Sequence, residues 1–150
     1  MSELGNCCCY DATMKNRILI IDDEDDINLL FKMVLEDNGF KVDIFTDPLT
    51  ALQNFTAGSY DLLLLDILMP NMNGFELYQE IRMIDYKARV CFLTASGINH
   101  EEFKKRAASI ASIENDDIVN CFISKPIENE DLINRVMAQL SYSVDILHPK

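Results

Sequence analysis

Residues 61–74 read DLLLLDILMPNMNG. Four consecutive leucines form a short, wholly apolar run, the pattern of a strand buried on both faces of a sheet. Asp66 ends the run. A carboxylate is costly against that much hydrocarbon unless something compensates it. The stretch therefore predicts a central strand that ends on a charge needing a partner.

Similar runs recur on either side. RILII (17–21), KVDIF (41–45), RVCFLT (89–94) and VNCFIS (119–124) are short and rich in apolar or β-branched residues. Amphipathic stretches separate them. Ile27, Leu30, Phe31, Val34 and Leu35 follow the stripe of one helix face, and Gly39 is the expected C′ residue. Asp47-Pro48 predicts an N-cap with proline at the first helical position, before an inner face of Ala51, Leu52 and Phe55. Another helix follows Gly74, with Phe75, Leu77, Tyr78 and Ile81 inward. A fourth is predicted from Asn99, with Phe103, Ala107, Ile110 and Ala111. A fifth carries Leu132, Ile133, Val136, Met137 and Leu140. Strands alternating with helices predict an α/β fold, an open, doubly wound five-stranded parallel sheet with helices on both faces. The expected units are a tail over 1–16, one domain over 17–141 and a short tail over 142–150.

In such sheets ligands gather beyond the carboxyl ends of the strands. Strand one ends in Asp22-Asp23, strand three in Asp66, strand four in Thr94 and strand five in Lys125. In the strand order 2-1-3-4-5, strands one and three are neighbours about 4.8 Å apart. Asp22, Asp23 and Asp66 then share one cup. Two carboxylates 4 Å apart repel by about 4 kcal/mol at an effective dielectric near 20. Three ask for a cation, and an all-oxygen, partly hydrated site suits Mg²⁺. With the Thr94 hydroxyl and the long Lys125 side chain, the set fits aspartyl-phosphate chemistry.

The net charge of −12 argues against nonspecific binding to nucleic acid or anionic membranes. No apolar run approaches the roughly 20 residues of a spanning helix, and no signal-peptide pattern opens the chain. A cytoplasmic protein with reduced thiols is expected. Cys7, Cys8 and Cys9 lack the spacing of a zinc site, and Cys91 and Cys121 read as small core residues.

Four stretches together resemble the receiver (phosphoacceptor) domain of two-component response regulators: ILIIDDE (18–24), LLLLDILMPNMNG (62–74), LTAS (93–96) and SKP (124–126). The resemblance implies a flavodoxin-like fold. With only nine residues after 141, the expectation is a stand-alone, chemotaxis-regulator-like receiver with no separate output domain. It identifies Asp66 as the phosphoacceptor, Asp23 as the direct acidic metal ligand and Asp22 as its partner through water. It makes the Leu68 backbone carbonyl a third ligand, Thr94 the switch hydroxyl, Phe122 the switch aromatic and Lys125 the phosphoryl-binding lysine. The implied donor is a histidine kinase or histidine phosphotransfer protein, and the implied output is a downstream protein target, without direct nucleic-acid or membrane contact. The face of the fourth helix, fifth strand and fifth helix is the implied signalling face and a candidate homodimer surface. The segment 97–118 is longer than the family norm.

Two other readings compete. In a phosphatase using Asp66 for turnover, a second acid two residues on would act as general acid, but that position is Leu68. A receiver-like scaffold that is never phosphorylated would have no need of Asp22, Asp23, Asp66, Thr94 and Lys125 together.

Overall fold

A computed structural model describes residues 16–95, 101, 105 and 122–147, the backbone alone over 141–147. Its strands are β1 (Arg17–Ile21), β2 (Lys41–Phe45), β3 (Leu62–Asp66), β4 (Val90–Thr94) and β5 (Phe122–Ser124). Its helices are α1 (Asp25–Glu36), α2 (Pro48–Gln53), α3 (Gly74–Ile84) and α4 (Asn129–Leu147). The sheet order is β2-β1-β3-β4-β5, all pairs parallel, as the strand-end argument required. The helix predicted after Asn99 lies outside the described residues, except that Glu101 and Lys105 are helical. Cys7–Cys9, Cys121 and most of 97–118 also lie outside them.

Alternation along each strand builds two cores. Leu19, Ile21, Leu63, Leu65, Val90 and Phe92 face α2 and α3, meeting Ala51, Phe75, Leu77, Tyr78 and Ile81. Ile18, Ile20, Leu62, Leu64, Leu93 and Ile123 face α1 and α4, meeting Phe31, Val34, Leu35, Leu132 and Val136. All four leucines of 62–65 are fully buried, so β3 is held from both sides. Burying one such side chain stabilises the fold by roughly 1.5–3 kcal/mol.

Local signals explain most element ends. Gly39 adopts φ 95°. The Gly39 N–H donates to the Glu36 carbonyl and the Phe40 N–H to the Leu35 carbonyl, the paired bonds of a Schellman turn. Asp47 caps α2 by accepting from the Thr50 N–H at 3.0 Å and its hydroxyl at 2.7 Å.

Several details differ from the periodic pattern. Leu30 and Met137 are 44% and 51% exposed. A helix on a flat sheet buries a narrower stripe than the sequence offers, and Asn28 takes the inward place on α1. Helix α2 ends at Gln53, before Phe55, yet Phe55 is buried and stacks on Tyr60. Helix α4 runs to Leu147, past residue 141, because no proline or glycine interrupts it before Pro149. Asn16 is tied down: its carbonyl accepts from the Lys41 N–H at 2.9 Å. Cys91 is buried, as expected of a small core residue. Among the described residues, no helix is long and apolar enough to cross a membrane.

Candidate functional site

The cup forms where β1 and β3 leave the core side by side. Ile21 pairs with Leu65, so the next residues, Asp22 and Asp66, emerge together. Carboxylate oxygens of Asp22, Asp23 and Asp66 all lie within 4.8 Å of one another. Asp22 and Asp66 are buried and Asp23 is exposed. This all-oxygen donor set, open to solvent on one side, can hold a divalent metal ion.

Lys125, immediately after β5, reaches back across β4. Its Nζ lies 2.8 Å from Asp22 Oδ2, 3.4 Å from Asp66 Oδ1 and 3.6 Å from Glu24 Oε1. The Lys125 N–H donates to the Thr94 carbonyl at 2.8 Å, and the Lys125-Pro126 peptide is cis. Asp23, Asp66 and Lys125 line a cleft of about 490 Å³, with Leu68, Ala95 and Pro126 also along its walls. Leu68 itself is exposed.

Thr94 and Phe122 are placed differently. Thr94 ends β4 fully buried, and its Oγ1 lies 3.5 Å from Ser124 Oγ. Phe122 opens β5 beside Phe92, half-buried against the α2–α3 core, and its carbonyl accepts from the Arg135 guanidinium.

Three further residues shape the site. Glu24, at the N-cap position, makes no side-chain cap to α1 and turns to Lys125 instead. Nothing in the sequence signals that choice. Gly74 follows the N-cap Asn73, which shares a capping box with Glu76. A Cβ at Gly74 would overlap the Asp66 carbonyl oxygen and lie 3.0 Å from Ile67 Cα. Only glycine lets α3 begin that close to β3. Asn28, fully buried on α1, donates to the carbonyls of Asp22 and Phe45. One polar residue on an apolar stripe is the signal that could have found it.

Burial, and next the charge of Asp22, push the Asp66 carboxyl up to about 7, against the pull of Lys125. Burial would lower the Lys125 ammonium, but its hydrogen bond to Asp22 and the charges of Asp22 and Asp66 outweigh that and raise it. An acid with a higher pKa in the folded chain binds its proton more tightly when folded. Stability therefore falls as pH rises from the ordinary value of 3.8 to about 7, and levels off above that. The slope from this group is at most about 1.4 kcal/mol per pH unit. The metal-free protein is expected to melt higher at pH 5.5 than at pH 8, with Asp66→Asn flattening the trend. Thermal melts across that range check it, and an unchanged slope in the variant would count against the placement of the charge.

The model of the family "Response regulator receiver domain" matches residues 18–137. The transcriptional regulatory protein RprY of Bacteroides fragilis is 31% identical over 133 residues, covering 87% of this chain and 51% of that protein. The regulatory protein VanRc of Enterococcus gallinarum is 32% identical over 127 residues, covering 85% and 51%. The chain spans about half the length of the curated relatives it matches. Among solved structures, the chemotaxis protein CheY4 of Vibrio cholerae superposes with a TM-score of 0.69 at 24% identity, covering 84% of this chain and 99% of that one. NtrX of Brucella abortus gives 0.70 at 25% identity, covering 90% and 29%. By motif order, sheet topology and the match over 18–137, this chain belongs to the response regulator receiver domain family.

Proposed function

We propose that the unit spanning 17–141 is a phosphorylation switch in which Asp66 accepts a phosphoryl group from a phosphohistidine of a histidine kinase or phosphotransfer protein. One observation carries the reading. Three carboxylates converge within 4.8 Å, with the Lys125 ammonium 3.4 Å from Asp66 at the floor of an open cleft. A purely structural acid would not need that much compensated charge in one place.

Asp22, Asp23, Asp66 and the Leu68 carbonyl are the residues that would hold Mg²⁺. Bound there, the ion supplies positive charge to the oxygens of the transferring group. An ionised Asp66 oxygen forms the new O–P bond as the P–N bond of the donor breaks. The bonding pair leaves with the imidazole, which takes up a proton from solvent. Lys125 stays by the transferred oxygens as a point charge, and water later hydrolyses the acyl phosphate. The chain thus promotes its own modification and does not turn over an external substrate.

Thr94 and Phe122 form the proposed readout. Thr94 Oγ1 lies a long 3.5 Å from Ser124 Oγ, and Phe122 sits half-buried one strand over. Movement of Thr94 toward the phosphoryl group would free space for Phe122 and remodel the β5–α4 face, through which a protein partner or a second copy reads the state.

The test is intact-mass measurement after incubation with a small-molecule phosphodonor. Gain of one phosphoryl group is expected with Mg²⁺ and not with chelator. Continuous turnover of phosphate esters would instead favour a phosphatase.

A further inference from the structure

We infer that Asn28 is a positioning residue for the metal cup, acting through the peptide that joins Asp22 to Asp23. The inference rests on the proposed reading of that cup as a metal site.

Asn28 is fully buried on α1. Its Nδ2 donates to the Asp22 carbonyl at 2.8 Å and to the Phe45 carbonyl at 3.2 Å. The Asp22 N–H also donates to the Phe45 carbonyl, at 3.2 Å. One amide therefore ties the ends of β1 and β2 together. The Asp22 carbonyl belongs to the peptide unit between Asp22 and Asp23. Holding that oxygen sets the last backbone torsion of Asp22 and the first of Asp23, and so the direction in which both carboxylates leave the chain.

The side chain of Asp22 is fixed from the other side. Its Oδ1 accepts from the Glu24 N–H at 2.9 Å and its Oδ2 from Lys125 at 2.8 Å. With Asn28 in place, both the carboxylate and the peptide behind it are held before any ion arrives.

Packing alone is a poor reason for this residue. Phe31, Val34 and Leu35 show what the inner face of α1 otherwise carries. Among the described residues, Asn28 Oδ1 is buried without a hydrogen-bond partner, so the amide is kept although one of its polar atoms is unmet. A local sacrifice of this kind is expected where position matters more than stability.

The test is calorimetric titration of the full chain with Mg²⁺ and, separately, Ca²⁺, beside thermal melts of the metal-free forms. Asn28→Ala removes both donors, Asn28→Leu removes them while filling the space, and Val34→Ala is a packing control on the same helix face. Outer partners of metal ligands are typically worth 10–100-fold in affinity. Both Asn28 variants are expected to bind Mg²⁺ at least 10-fold more weakly, with a reduced preference for Mg²⁺ over Ca²⁺, since a loosened acid pair tolerates the larger ion. Val34→Ala should melt lower yet keep both affinity and preference.

Unchanged Mg²⁺ affinity in Asn28→Leu would overturn the inference. So would affinity losses that simply track melting temperature across all three variants. Absence of Mg²⁺ binding to the wild-type chain would overturn the metal-site reading together with it. Wild-type binding that Asp23→Ala abolishes and Asn28→Leu leaves intact would overturn the inference alone.

Discussion

Lys125→Met is expected to destabilise the metal-free protein strongly at pH 8 and much less at pH 6. In the wild type, Lys125 is the cation between two buried carboxylates, 2.8 Å from Asp22 and 3.4 Å from Asp66. Removing one member of a buried charge set leaves the rest uncompensated, at a cost of roughly 3–5 kcal/mol. The open cleft admits some water here, which favours the lower end of that range. Below neutrality Asp66 takes up a proton, because burial and the Asp22 charge already hold its pKa near 7. Loss of Lys125 pushes it higher still, so the penalty shrinks on acidification. Urea unfolding at the two pH values measures this directly. An equal loss at both would mean that Lys125 contributes packing rather than charge. Asp22→Asn in the Lys125→Met background should recover much of the stability by removing one unpaired charge.

Gly74→Ala should destabilise the protein, because the added carbon has nowhere to go. The added carbon meets backbone, the Asp66 carbonyl oxygen and Ile67 Cα, and not the end of a movable side chain. The N–H of Gly74 also donates to the Ile67 carbonyl at 2.8 Å, so α3 cannot back away without breaking that bond. Overpacking against fixed backbone costs about 1–3 kcal/mol, and the better helix propensity of alanine offsets less than about 1 kcal/mol of it. The strain falls on the residue that carries the proposed nucleophile. Phosphoryl acceptance should therefore drop further than stability alone explains. Denaturant melts and donor incubation on the same sample test both parts. A variant as stable and as readily modified as the wild type would show that the α3–β3 approach is not the constraint.

How far the chain could be read from its sequence differs from residue to residue, for physical reasons. RILII and LLLLD announce strands because both faces of a parallel sheet are covered and no polar alternation is needed. Asp22, Asp23, Asp66 and Lys125 stand at strand ends, where charge has little other purpose, and in the structure they converge. Glu24 was indistinguishable from Asp25 and Asp26, since facing Lys125 depends on a residue 101 positions away. Gly74 was visible only as a loop end; its need for no side chain comes from how closely β3 passes the start of α3. Leu30 and Met137 fitted the helical period but missed the core, because period fixes a face and not its width.

The proposed switch rests above all on a bond between phosphorus and a carboxylate oxygen of Asp66. The direct measurement is peptide mapping of the protein after brief incubation with Mg²⁺ and a phosphodonor, with acyl phosphates trapped by borohydride reduction before digestion. A single reduced site is expected, Asp66, in the peptide containing residues 61–74, and none in Asp66→Asn. A trapped site at Asp22 or Asp23, or a phosphoryl group gained equally by Asp66→Asn, would contradict it.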